Sequence, residues 1–252
     1  MDKKGQITIF VIIGIVIVAL IVLLYAFRKD ISVPFVQVNL QDEMQQVRSD
    51  IQDCLKSSSE GHVERIGLQG GYLSPPPGSF RLFNDTPISY LCYNQVGKPT
   101  CTNRMLTLES MQKELDSAIE DTVPECLILD VSGGVQLQEP TNYKVKTEIQ
   151  PSKVVVTLDY PVTLTNKKTG DELTEKEFST VINAPLGDLY DVAMDVVDSE
   201  AVGGRFDVLS YVLSKMSKYT IYPHKPYPDK VYQIKLRENG YLFQMAVEDE
   251  PG

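Results

Sequence analysis

The sequence predicts an α+β protein: an N-terminal transmembrane helix followed by an extracytoplasmic domain with long helices and an antiparallel β-meander. Three observations carry this. From Ile7 to Phe27 the chain runs 21 residues without a charge or a proline. From about Leu40 to Ile66 apolar residues recur at three- and four-residue steps, the period of an amphipathic helix. From Tyr143 to Asn183 apolar and polar residues alternate, the period of a half-buried strand.

As a helix, the first run would be roughly 31 Å long at about 1.5 Å per residue, close to a bilayer core of about 30 Å. Lys3 and Lys4 stand before it, Arg28 and Lys29 after it. A cleaved secretory signal has an apolar core of about 7–15 residues and then small residues. This run is longer, and Leu24-Tyr25-Ala26 is a poor cleavage site. A buried core helix would show a polar stripe, and none is present. The run therefore reads as a retained anchor, with the lipid bilayer as the partner of residues 7–27. Two basic residues on each flank leave the positive-inside count undecided.

After "RKDISVPF", where Pro34 biases Val33 away from helix, Leu40, Met44, Val47, Ile51, Cys54 and Leu55 form one apolar face. "GLQGGYLSPPPGSF" ends this helix. Gly67 suits a left-handed cap, and Pro75 to Pro77 continue no regular element. The segment has the glycines of a phosphate loop but leads into prolines, not into a helix N-terminus, so it reads as a structural turn. A strand follows at Ile88 to Tyr93. A second helix runs from Leu108 to about Thr122, with Thr107 as N-cap and Leu108, Met111, Leu115 and Ile119 as its apolar face.

In the meander, "YKVKTEI" and "KVVVTLDYPVTL" are joined by "QPS", a hairpin. "NKKTGDEL" turns into a third strand, Glu177 to Asn183. The sheet reads as having one wet face. Two helices follow, Leu186 to Val202 and Phe206 to Lys218, split by Gly203-Gly204. The chain ends in a hairpin, "DKVYQIKL" and "YLFQMAV", turned at Asn239-Gly240. The organisation is then residues 1–30 as anchor, 31–135 as a helical region containing the cysteines, and 136–252 as antiparallel sheet plus helices. The last two are able to form one domain.

With 42% hydrophobic and 23% charged residues in 252, the composition is that of a globular protein able to bury a sizeable core. A net charge of -10 argues against a nucleic-acid partner, since phosphate binding needs clustered Lys and Arg. It argues equally against tight binding to anionic lipid heads. Four cysteines, Cys54, Cys92, Cys101 and Cys126, allow three pairings. Cys92 and Cys101 bracket a short loop with Gly97 and Pro99, which makes a local bridge the simplest choice. Cys54 would then pair with Cys126, the alternatives being four buried free thiols in a cytosolic domain and, with no C-x-x-C and only two histidines, a zinc site. Such bridges put the domain on an oxidising side, with the N-terminus cytoplasmic and the C-terminal domain extracellular.

No catalytic motif is legible in the sequence. His62 and His224 stand apart from any nucleophile motif, and no G-x-S-x-G, H-E-x-x-H or Walker pattern occurs. No catalytic residue, cofactor or metal ligand is expected. Asp188, Asp191, Asp195 and Asp198 share one helix face and read as a solvated stripe, with loose calcium or magnesium binding as the sharper alternative. Tyr219, Tyr222, Tyr227 and Tyr232 read as packing at a sheet margin. Asn84 in "NDTP" matches a glycosylation acceptor, with an unfavourable proline behind it.

"KKGQITIF" resembles the leader of archaeal prepilin-like proteins, in which a basic pair and a glycine precede the cut. The resemblance implies processing after Gly5, with Gln6 as the new N-terminus and Thr8 as the hydroxyl residue two positions on. The family's glutamate at the fifth mature position is replaced here by Phe10, which argues against filament assembly. More broadly, "GQITIF", "QDCLK", "GLQGGYL" and "VPEC" together resemble a group of single-span surface proteins of small-genome archaea. In that group Cys54 and Cys126 fall in matching segments, which implies their pairing. The expectation is a single-pass, membrane-anchored cell-surface protein, not an enzyme, with a structural or adhesive role and a surface protein or a second copy as partner. The alternative is a type IV pilin-like subunit assembled through its apolar helix.

Overall fold

A computed structural model of the chain describes residues 13–23, 39–95, 98, 100–203, 205–216, 218–238 and 240–248. The chain divides into two units, Met1–Asn39 and Leu40–Gly252.

In the first unit the described residues form one helix, α1 (13–23), made only of Ile, Val, Leu, Ala and Gly. Its large side chains are all exposed, from 49% at Ile13 to 65% at Ile15. Eleven residues give about 16 Å at about 1.5 Å each, roughly half of a bilayer core. This corrects the expected transmembrane helix: among the described residues no helix is long and apolar enough to cross a membrane. The ends of the expected span, Ile7 and Phe27, and the expected processing point, Gly5 and Gln6, lie outside the described residues.

The second unit is α+β. Its first element, α2 (Leu40–Leu68), buries Met44, Val47, Ile51, Cys54, Leu55, Val63 and Ile66 along one face. Gly67, read as the cap, lies inside this helix. The left-handed residues are Gly70 (φ 73°) and Gly71 (φ 90°), and the Gly71 N–H closes the end on the Ile66 carbonyl at 2.7 Å. Gly67 serves a close approach instead. A Cβ there would sit 2.8 Å from Tyr241 Oη and 2.9 Å from the Leu242 carbonyl.

Against α2 lies a four-stranded antiparallel sheet built on β6 (Val154–Asn166). β5 (Lys144–Ile149) pairs with the first half of β6 and β4 (Val135–Gln138) with its last turn of chain. β7 (Glu172–Ile182) runs along the other side. Val154, Val156, Leu158, Tyr160, Val162 and Leu164 are buried on one face. On the wet face Lys144, Asp159 and Glu177 stand in one cross-strand row. β7 starts at Glu172, five residues before the alternation predicted, because pairing with β6 recruits the polar stretch "ELTEK".

The second sheet has six strands in the order β1 (Phe80–Phe83), β2 (Thr86–Tyr93), β10 (Leu242–Val247), β9 (Lys230–Leu236), β8 (Tyr219–His224), with β3 (Thr102–Asn103) on β2. β10 pairs with β2 in parallel and with β9 antiparallel. Phe243 to Val247 are buried at every position, so both faces of β10 are covered. α2 and α4 (Leu186–Gly203) pack on it. The N-terminus of α4 rests on the β5–β6 turn: the Asp188 N–H donates to the Pro151 carbonyl at 3.0 Å, and a Gly187 Cβ would meet the Gln150 carbonyl at 2.7 Å.

α3 (Leu108–Thr122) is capped by Thr107, whose hydroxyl accepts from the Ser110 N–H at 3.1 Å. A single 3-10 turn, Val123–Glu125, follows it. The last predicted helix is shorter than its pattern: α5 spans Val208–Ser214, started by Asp207 accepting from the Ser210 N–H at 3.2 Å. Beyond α5, Tyr219 to His224 form strand β8.

Candidate functional site

Both cysteine pairs are bridged. Cys54 in α2 joins Cys126 at the end of the 3-10 turn, with Cα atoms 5.4 Å apart and a sequence separation of 72. Cys92 in β2 joins Cys101, with Cα atoms 5.3 Å apart and a sequence separation of 9. Among the described residues no cysteine is free, so the thiol chemistry of this face is spent on structure.

The first bridge fixes α2 against α3, and these two helices treat the two edges of the four-stranded sheet differently. Along β5, Gln112, Asp116 and Glu120 of α3 accept hydrogen bonds from the N–H groups of Ile149 (3.1 Å), Thr147 (2.5 Å) and Val145 (2.9 Å). Four helical residues rise about 6 Å and two strand residues about 6.8 Å, so one acceptor meets every second donor. This seals an open sheet edge with side chains. Burial, the largest cause, holds the Asp116 carboxyl above its ordinary range, with the Glu120 charge adding to it and the bonds to Thr147 opposing.

Along β7, α2 packs on the strand but ties it with fewer side-chain hydrogen bonds. Gln52 Nε2 donates to the Ser179 carbonyl at 2.9 Å, and Arg48 pairs with Glu175 at 2.8 Å. A cleft of about 700 Å³ opens between α2 and the start of β7, lined by Gln41, Arg48, Gln52, Thr174 and Glu175. A second, of about 640 Å³, lies at the far end among Lys56, Glu64, Val181, Asn183, Lys235 and Tyr241. Charges of both signs line these clefts.

The aspartate stripe of α4 faces solvent, with Asp191, Asp195 and Asp198 exposed and Asp188 half-buried, and three of the four are tied to neighbouring elements. Asp188 accepts from Lys218 Nζ at 2.7 Å, Asp195 from Tyr211 Oη at 2.7 Å and Asp198 from Asn103 Nδ2 at 2.8 Å. The stripe fastens α5 and β3 to α4. Asp191 stays between Asp188 and Asp195, and its carboxyl is raised by burial first and by those two charges next, with Lys215 opposing. Among the described residues no group of three acidic, His or Cys side chains could hold a metal ion.

His62 faces Thr122 Oγ1 at 3.4 Å, while its Nδ1 is buried without a partner; burial lowers its pKa. It lines a cleft of about 460 Å³ with Ser57, Ser58, Arg65 and Cys126. Ser58 Oγ sits 3.1 Å from the bridged Cys126 sulfur, not against the imidazole as a nucleophile would. His224 bonds Gln233 Oε1 at 3.0 Å across β8 and β9. Of the tyrosines, Tyr219 and Tyr232 are buried, whereas Tyr222 and Tyr227 are 51% and 79% exposed.

Sequence reasoning missed two buried ion pairs at the start of β9. Glu200, 1% exposed, accepts from Lys230 Nζ (2.9 Å), Tyr232 Oη (2.5 Å) and the Phe206 N–H (3.2 Å). Asp229, 4% exposed, pairs with Arg81 and accepts from Tyr90 Oη at 2.7 Å. Burial, with the Asp229 bond second, pushes the Tyr90 hydroxyl up to about 12. These groups are closed off and mutually bonded, the condition under which a buried charge is tolerated. The signal in the sequence was "PDK" opening a strand whose next residues are apolar.

Compared with known family models, with curated proteins and with solved structures, the chain has no match.

Proposed function

We propose that this protein is a non-enzymatic structural or adhesive protein of the cell surface. The observation that carries the reading is the pair of disulfides, which belong to an oxidising compartment. The acidic stripe and His224 support it, being engaged in holding elements together. The contact surface is the β7 edge with its two clefts. Protease added to intact cells tests the placement. Digestion of the second unit without lysis is expected, and digestion only after lysis would overturn it.

A second reading, a pilin-like subunit cut after Gly5, is favoured by α1. A helix whose large apolar side chains are all exposed gains by covering them with copies of itself. The mass of the mature N-terminus separates the readings. A chain beginning at Gln6 supports the pilin-like subunit, and an intact Met1 excludes it.

A further inference from the structure

Asn84-Asp85-Thr86 has the Asn-x-Thr pattern, and no other asparagine in the chain is followed two residues on by Ser or Thr. The fold puts this one match at the tip of the β1–β2 hairpin. Phe83 pairs with Thr86, so Asn84 and Asp85 are the two loop residues. Their φ angles of 50° and 62° are the left-handed pair of a type I′ turn. Both are exposed. No hydrogen bond among the described residues uses the Asn84 amide or the Thr86 hydroxyl. The turn geometry accounts for Asn and Asp, which tolerate this conformation. It does not call for a hydroxyl at Thr86. Pro87, paired with Leu82 inside β2, stiffens the strand and not the two loop residues.

We propose that Asn84 is an N-glycosylation site. The donor is a sugar carried on a polyprenyl phosphate, brought by a membrane-bound transferase on the oxidising side. Asn84 Nδ2 forms a bond to C1 of the first sugar and gives up one proton. The bond from C1 to the phosphate oxygen breaks, and the polyprenyl phosphate leaves with the electron pair. The site rests on the external placement proposed above.

The test takes the full-length protein from the cells that make it, blocks free thiols without reduction, and reads the digest by mass spectrometry. The peptide carrying Asn84 is expected to be heavier by at least one sugar residue, held on Asn84. Asn84→Gln and Thr86→Ala are expected to lose the added mass, and Thr86→Ser to keep it, with both bridges intact in every variant. An unmodified peptide with both bridges formed overturns the glycan and leaves the external placement standing. An unmodified peptide with free thiols overturns both. Added mass that survives in Thr86→Ala overturns recognition through the hydroxyl, and with it the site.

Discussion

The two sheets of the second unit are assembled by opposite routes. The four-stranded sheet is built from neighbours in sequence: β5, β6 and β7 follow one another, and alternation alone sets which side chains go inside. The six-stranded sheet joins the hairpin at 80–93 to the hairpin at 230–247 through one parallel pair, β2 with β10. It holds the buried ion pairs Glu200–Lys230 and Asp229–Arg81, and α2 and α4 cover β10. Where the chain brings distant segments together, polar ties and helix cover fix the arrangement. Where segments are adjacent, the strand period suffices.

This contrast can be broken by substitution. The largest effect is expected from Lys230→Met, which leaves Glu200 buried and unpaired and should cost about 3–5 kcal/mol. Denaturant unfolding measures it. Hydrogen exchange should show β9 and β10 losing protection before β5 and β6 do. Loss in the meander first would mean that the two sheets do not differ as described.

Removing the disulfides sharpens the point. In the chain-entropy account a 72-residue closure is worth about 4 kcal/mol and a nine-residue closure about 3. Replacing Cys54 and Cys126 by Ala should therefore lower stability more than replacing Cys92 and Cys101. Equal losses would remove the special place given to the α2–α3 tie.

Two glycines of α2 form a smaller pair of tests. Gly67→Ala drives a methyl into the Leu242 carbonyl and should cost about 1–3 kcal/mol. Gly61→Ala meets nothing within 4 Å and should gain about 0.5–1 kcal/mol of helix stability.

The smallest effect concerns the sealed β5 edge. The Asp116 pKa is raised in the fold, so near it the native state binds more protons than the unfolded chain. Its contribution to stability is then greatest at low pH and declines as pH rises through the raised value. Asp116→Asn keeps an acceptor for the Thr147 N–H and should flatten that part of the pH–stability curve. An unchanged slope would contradict the role of burial there.

What could be read from the sequence follows the same division. The meander was legible because each of Val154, Val156, Leu158, Tyr160, Val162 and Leu164 alternates with a polar or exposed neighbour. α3 was legible from Thr107 and its apolar steps. β1, β3, β4 and β8 were not: they are short, and β8 carries Pro223 and exposed Tyr222, so only their partners make them strands. Gly67 looked like a cap because sequence shows glycine but not the Leu242 carbonyl that needs the space. The apolar run from Ile7 to Phe27 promised a span by length and hydropathy, and its described part is the eleven-residue α1. The seal on β5 was hidden, since Gln112, Asp116 and Glu120 look like an ordinary polar helix face until β5 is beside it.

The central claim is that this is a disulfide-braced module working on an oxidising side, and a non-reducing peptide map tests it most directly. Protein taken from its own cells, with thiols blocked at lysis, should yield Cys54 linked to Cys126 and Cys92 linked to Cys101. Four blocked free thiols, or Cys54 linked to Cys92 or Cys101, would contradict it.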